Sequence, residues 1–170
     1  MTELREVTAY AVACARPALE IFDQARPEDQ RPRAALDAAQ TFAAGAERTK
    51  LLRDSAWAAH KAAQETRDAG QAAASDGARA AGHACGAAFL HPLANATQVK
   101  HILGSAAHAA RALELSGGDA AAHLARCETL AGAVVRDVLS RYPSAPAGGG
   151  RVGEYLRQLD ISLRNSPDRG

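Results

Sequence analysis

Histidine and cysteine are the side chains in this sequence with the widest chemical reach, and spacing decides what they can do together. His123 and Cys127 stand four residues apart, with Asp119 four before them, so one helix face would carry all three. Such spacing can supply two zinc ligands. No second ligand pair accompanies it, and Cys127 also falls on an apolar stripe, so the pair reads as a buried thiol beside a surface histidine and no metal is expected. His101 and His108 lie two turns apart, ~10 Å along a helix axis, too far to share an ion. His83 and Cys85 point to different sides of their helix. His60 and His83 differ from these, because both are embedded in small residues on helices expected to pack as neighbours. One reading makes them a core polar pair satisfied by Gln64, Arg53 or the backbone. The other makes them part of a pocket lined by Trp57, His60, Gln64, His83 and His91.

Other chemistry has little support. The carboxylates are spread singly, with no pair that would hold two metal ions. There is no G-x-S-x-G, no P-loop and no H-E-x-x-H. No catalytic residue and no cofactor are assigned.

The elements that must position these residues are helices. From Ser55 to Leu90 alanine fills about every second position, with Gly77, Gly82 and Gly86 in the second half. Alanine loses no side-chain entropy in a helix, and small residues let helix axes approach closely. Two helices, 47–68 and 71–90, are expected to fold back on each other as the centre of the domain. Before them, Leu4, Val7, Ala11, Cys14, Ala18 and Phe22 mark a helix over 3–25, which Pro17 should kink or split. Asp29, Arg31, Pro32 and Arg33 form a punctuated turn ahead of a helix from Pro32 to Ala44. There Pro32 suits the first turn, and Asp29 can meet free amides or pair with Arg31 or Arg33.

His91-Pro92 breaks the chain again. A fifth helix starts near Asn95 or Thr97 and runs to Leu115. Asp119 caps a sixth, whose apolar stripe runs from Leu124 through Val138 to Tyr142. The reading is all-α: a single domain of six or seven antiparallel helices around the Ala/Gly-rich pair. It divides into a helical domain over 1–142, a flexible Pro/Gly linker over 143–150, an amphipathic helix over 151–163 that docks on the domain, and a loose tail over 164–170.

Composition narrows the class of function. Twenty Lys and Arg balance nineteen Asp and Glu for a formal charge of +1, scattered along the chain. A nucleic-acid binder would show a basic stripe, so none is expected as partner. The first residues carry glutamates rather than an apolar signal core. The longest nearly apolar run, 80–90, is short of the ~20 residues that span a bilayer. Three cysteines without a C-x-x-C pair suit reduced thiols, and the expected location is the cytoplasm.

The run from Cys14-Ala15 through Ile21-Phe22 to Arg26-Pro27-Glu28-Asp29-Gln30-Arg31-Pro32-Arg33 resembles a family of small all-helical bacterial immunity proteins of polymorphic toxin systems. Trp57-Ala58-Ala59-His60, Ala80-Ala81-Gly82-His83, His91 and the segment from His101 to Leu113 also look like that family. The likeness covers roughly 4–115, its most specific part being the turn with Asp29, Pro32 and Arg33, and the segment beyond Gly117 looks like an extension found in actinobacterial-type relatives. It implies a non-enzymatic, cytosolic protein that caps a cognate toxin. Arg48, Lys50, Arg53 and Trp57 are the candidate interface. The alternatives are a small-molecule or metal-binding protein, which could be an enzyme of a specialised pathway, using the Trp/His pocket, and a self-associating protein whose copies exchange the C-terminal helix.

Overall fold

The computed structural model describes residues 1–166, and the last four positions of the proposed tail lie outside the described residues. Eight α-helices and one 3-10 turn make up the regular structure there, with no strand among the described residues. The helices are α1 (Thr2–Ala25), α2 (Arg31–Ala43), α3 (Lys50–Asp68), α4 (Ala72–Ala87), α5 (Val99–Leu115), α6 (Ala120–Leu130), α7 (Ala133–Ser140) and α8 (Gly150–Asn165). The all-helical class is therefore shown, with more helices than the sequence pattern suggests.

Local chemistry accounts for most boundaries. Asp119 accepts the amide of Ala122 at 2.9 Å and starts α6. Asn95 accepts the amide of Thr97 at 3.0 Å and opens the short turn Ala96–Gln98 before α5. Pro17 neither ends nor splits α1, which continues through it for 24 residues. Buried residues before and after it, Cys14, Ala15, Ala18 and Leu19, keep the helix on the core, so packing outweighs one lost hydrogen bond.

One expected helix divides in two. The stripe from Leu124 to Tyr142 belongs to both α6 and α7, which part at Ala131-Gly132. Arg136 stabilises the break by donating to the carbonyls of Glu128, Ala131 and Leu163 at 3.0–3.1 Å. Carbonyls at helix ends lack the regular helical donors, and a guanidinium with five donors can reach all three, sharing the Glu128 oxygen with the Ala131 amide at 3.3 Å.

α4 is the hub, packed on α1, α3 and α5 and also touching α2. Its partner α3 buries Leu52, Ala59, Ala62, Ala63 and Thr66 but turns its other side to solvent. The centre is thus α4 among α1, α3 and α5 rather than an α3–α4 pair standing alone. Glycine makes this approach possible, since a Cβ at Gly77 would lie 2.6 Å from the carbonyl oxygen of Ala18. Ser75 donates to Ala63 O at 2.7 Å and Ser105 to Ala80 O at 2.8 Å, stitching α4 to both flanking helices.

α8 packs mainly on α5, with further contacts to α6 and α7, and buries Tyr155, Leu156, Leu159 and Leu163. The Pro/Gly segment before it is strapped down rather than free. Arg157 donates to the carbonyls of Pro146 and Gly148, Arg164 to those of Tyr142 and Pro143, and the buried Asp160 accepts the amide of Ala145. α8 also runs through Arg164 and Asn165, which the pattern assigns to a tail.

Candidate functional site: a histidine row and an exposed helix face

His60 and His83 come together, as neighbouring glycines allow. The His60 ring sits over Gly82, where a Cβ would lie 2.7 Å from it, and the His83 ring sits over Gly104 with a clearance of 2.9 Å. His101 rests in the same way on Gly86. His60 meets His83 edge-on with centroids 5.3 Å apart, and His83 stacks on His108 at 4.9 Å. The result is a row of three imidazoles crossing from α3 through α4 to α5. Its last ring is fixed by Asp76, whose Oδ1 lies 2.8 Å from His108 Nδ1.

Electrostatics sets the state of the row. Burial pushes the His60 pKa down to about 4, with the charges of Arg79 and His108 adding to the effect. Burial likewise holds His83 well below its ordinary value, and His108 and His60 on either side oppose a second proton there. Both are neutral at pH 7. The carboxylate of Asp76 accepts from His108 Nδ1, leaving Nε2 of that ring without a hydrogen bond among the described residues.

The other residues proposed for this pocket lie elsewhere. Trp57 is 71% exposed on the outer side of α3. Gln64 donates to Asp68 on the same exposed side. His91 belongs to the turn after α4, where its Nδ1 accepts the amide of Leu93 and its carbonyl accepts the Tyr142 hydroxyl. Their helical spacing is compatible with one face, but α3 faces α4 through its alanines, and that leaves Trp57 and Gln64 outside. His108 and Asp76 complete the row instead. Their only signal in the sequence is that His108 lies one turn beyond Gly104.

The row ends in a cleft of about 550 Å³ between α4, α5 and the start of α8, with His83 and His108 in its lining. Neither Trp57, His60, Gln64 nor His91 lines it.

The second feature is the outer face of α3. Lys50, Arg53, Trp57 and Lys61 recur at three- and four-residue spacing and are all exposed. Two of the candidate interface cations also work within the fold: Arg53 lies 4.8 Å and Arg48 5.3 Å over the Phe89 ring, and Arg48 donates to Ala88 O. Lys50 pairs with Asp54 at 2.9 Å. Trp57 has no such engagement.

His123 and Cys127 do meet, at 3.3 Å, but both are buried, so the histidine is not at the surface. A hydrogen bond from Cys14, with His123 beside it, lowers the Cys127 pKa, and the thiol of Cys14 is pushed up. No group of three His, Cys, Asp or Glu among the described residues could hold a metal ion. No described helix is long and apolar enough to cross a membrane. In the 26–33 turn, Asp29 accepts from the Arg31 amide at 3.1 Å and pairs with its guanidinium at 2.7 Å. Arg31 continues to Glu65 on α3 at 2.5 Å, Arg33 pairs with Asp23, and Pro32 is buried. That turn locks α2 against α3.

The family described as Imm-5 like putative immunity protein matches residues 2–133, and the chain belongs to it. No curated protein and no solved structure matches the chain. The match spans α1 to α6 and stops at the first residue of α7, so α8 and the loop before it lie outside the matched segment.

Proposed function

We propose, from that family membership, that this protein is a non-enzymatic immunity protein of the cytoplasm that binds and caps one cognate protein toxin. The outer face of α3 is the binding surface, and one observation carries the choice: Trp57, the single tryptophan of the chain, stands 71% exposed on a helix held rigidly by α2 and α4. An exposed indole on a fixed helix is costly to leave in water and is the side chain most often found at the energetic centre of an interface. Lys50, Arg53 and Lys61 around it supply positive charge that would speed encounter with an acidic patch.

The test isolates the tagged protein from its own producer, identifies the co-purifying toxin by mass spectrometry, and co-expresses the two in a sensitive host. The wild-type chain is expected to protect the host, whereas Trp57→Asp weakens binding by at least about 2 kcal/mol and loses protection. Its helical content should not change, because the side chain contributes almost nothing to the core. Undiminished protection by Trp57→Asp would move the interface away from α3.

A further inference from the structure

We propose that the cleft between α4, α5 and the 146–153 segment is a binding site for a phosphate-bearing small molecule. The inference does not rest on toxin binding, whose proposed residues Lys50, Arg53, Trp57 and Lys61 do not line this cleft.

Charge is the first ground. Five cations, Arg67, Arg79, Lys100, Arg111 and Arg151, line the cleft against one carboxylate, Asp76. The chain as a whole carries a formal charge of +1, so this is a local concentration that folding has created. Asp76 is already engaged by His108, and Glu114 accepts from Arg111 and Arg151. The side chains of Arg67, Arg79 and Lys100 have no hydrogen-bond or ion-pair partner among the described residues. Arg79 and Arg111 are half-buried and Arg67, Lys100 and Arg151 exposed, and like charges gathered around a concave space repel one another and favour an anion of more than one charge. Guanidinium groups suit phosphate in particular, since their paired N–H donors match two of its oxygens.

The second ground is construction. Gly148, Gly149 and Gly150 take φ values of +84°, +78° and +59°, a run that only glycine holds without strain. Arg157 fixes the loop through the carbonyls of Pro146 and Gly148. Gly153 admits it, because a Cβ there would lie 1.9 Å from Gly148 O. No side chain caps the N-terminus of α8 behind this loop. His108 Nε2 adds one more polar group, oriented by Asp76.

Shape is the third. About 550 Å³ matches a small organic ligand rather than a polymer. Leu115, Val152 and Leu156 give it an apolar side on which the organic part of the ligand would rest while its phosphate meets Arg79 and Lys100. The cations line a cleft and do not track across the surface, which is why a small molecule is favoured over a nucleic acid.

The experiment is calorimetric titration of the full chain with pyrophosphate, with inorganic phosphate and AMP as comparators. Saturable one-to-one binding of pyrophosphate at about 1 mM or tighter is expected. The double variant Arg79→Gln/Lys100→Gln should weaken it by about tenfold or more, and the surface control Arg16→Gln should leave it unchanged. AMP binding more tightly than inorganic phosphate identifies an organic phosphate as the occupant, and the reverse order identifies free phosphate. No saturable binding of any of the three overturns the proposal, as does equal affinity in the double variant with its melting temperature unchanged. A short single-stranded DNA that displaces pyrophosphate and binds far more tightly than AMP would also overturn it, in favour of nucleic acid.

Discussion

At the scale of residues, the histidine row has a thermodynamic consequence. An unfolded histidine takes its proton near 6.5, whereas folded His60 does so only near 4, so between these values the unfolded chain holds more protons. Stability is full above pH 6.5 and declines as pH falls through that window, because protons bind preferentially to the unfolded state. His83 is shifted in the same direction and steepens the decline. Urea unfolding above and within the window should show the midpoint falling with acidification, and His60→Gln should flatten the dependence. A midpoint that stays level from neutral pH to about pH 4.5 would mean that His60 titrates normally. The spacing of His60 and His83 within small-residue helices was enough to pair them. Nothing local joined Asp76 to His108, which lie 32 residues apart and meet only because α4 and α5 run antiparallel at close range.

At the scale of elements, glycine governs how near the helices come. Gly77 in α4 faces the Ala18 carbonyl of α1, and backbone cannot move aside as a flexible side chain can. Gly77→Ala gains up to ~1 kcal/mol of helix propensity and forces the two axes apart at a cost of about 1–3 kcal/mol or more. Net destabilisation is expected in denaturant titration, against the gain that helix propensity alone would give. The division between α6 and α7 is an element-scale event that periodicity misses. The apolar stripe from Leu124 to Tyr142 keeps its spacing across Gly132, so the pattern reads as one helix, and the arginine that stabilises the break reaches its carbonyls through space.

At the scale of the whole molecule, Arg136 ties three parts together: the end of α6, the start of α7 and the last turn of α8. Arg136→Met keeps much of the side-chain volume and removes these donors, leaving three carbonyls without them. Hydrogen bonds to charged groups contribute about 1.5–3 kcal/mol each, non-additively, so a loss of several kcal/mol is expected in urea titration. Limited proteolysis should then cut first near 131–132 or within 143–149. An unchanged midpoint would show that water replaces the guanidinium.

The all-helical class, most helix limits, the caps at Asn95 and Asp119 and the punctuated turn at 26–33 were all determined by sequence. Each is a local effect, set by 3.6-residue periodicity, by side chains bonding to amides two or three positions away, and by proline and glycine geometry. Tertiary structure decided the rest. It left Trp57 exposed by turning the alanines of α3 inward, replaced Gln64 and His91 with His108 and Asp76, and strapped the Pro/Gly segment with arginines from α8. Charges that are scattered along the chain converge on one cleft for the same reason: a helix sums its own neighbours every turn, whereas a site sums residues from several helices, and only their packing brings those together.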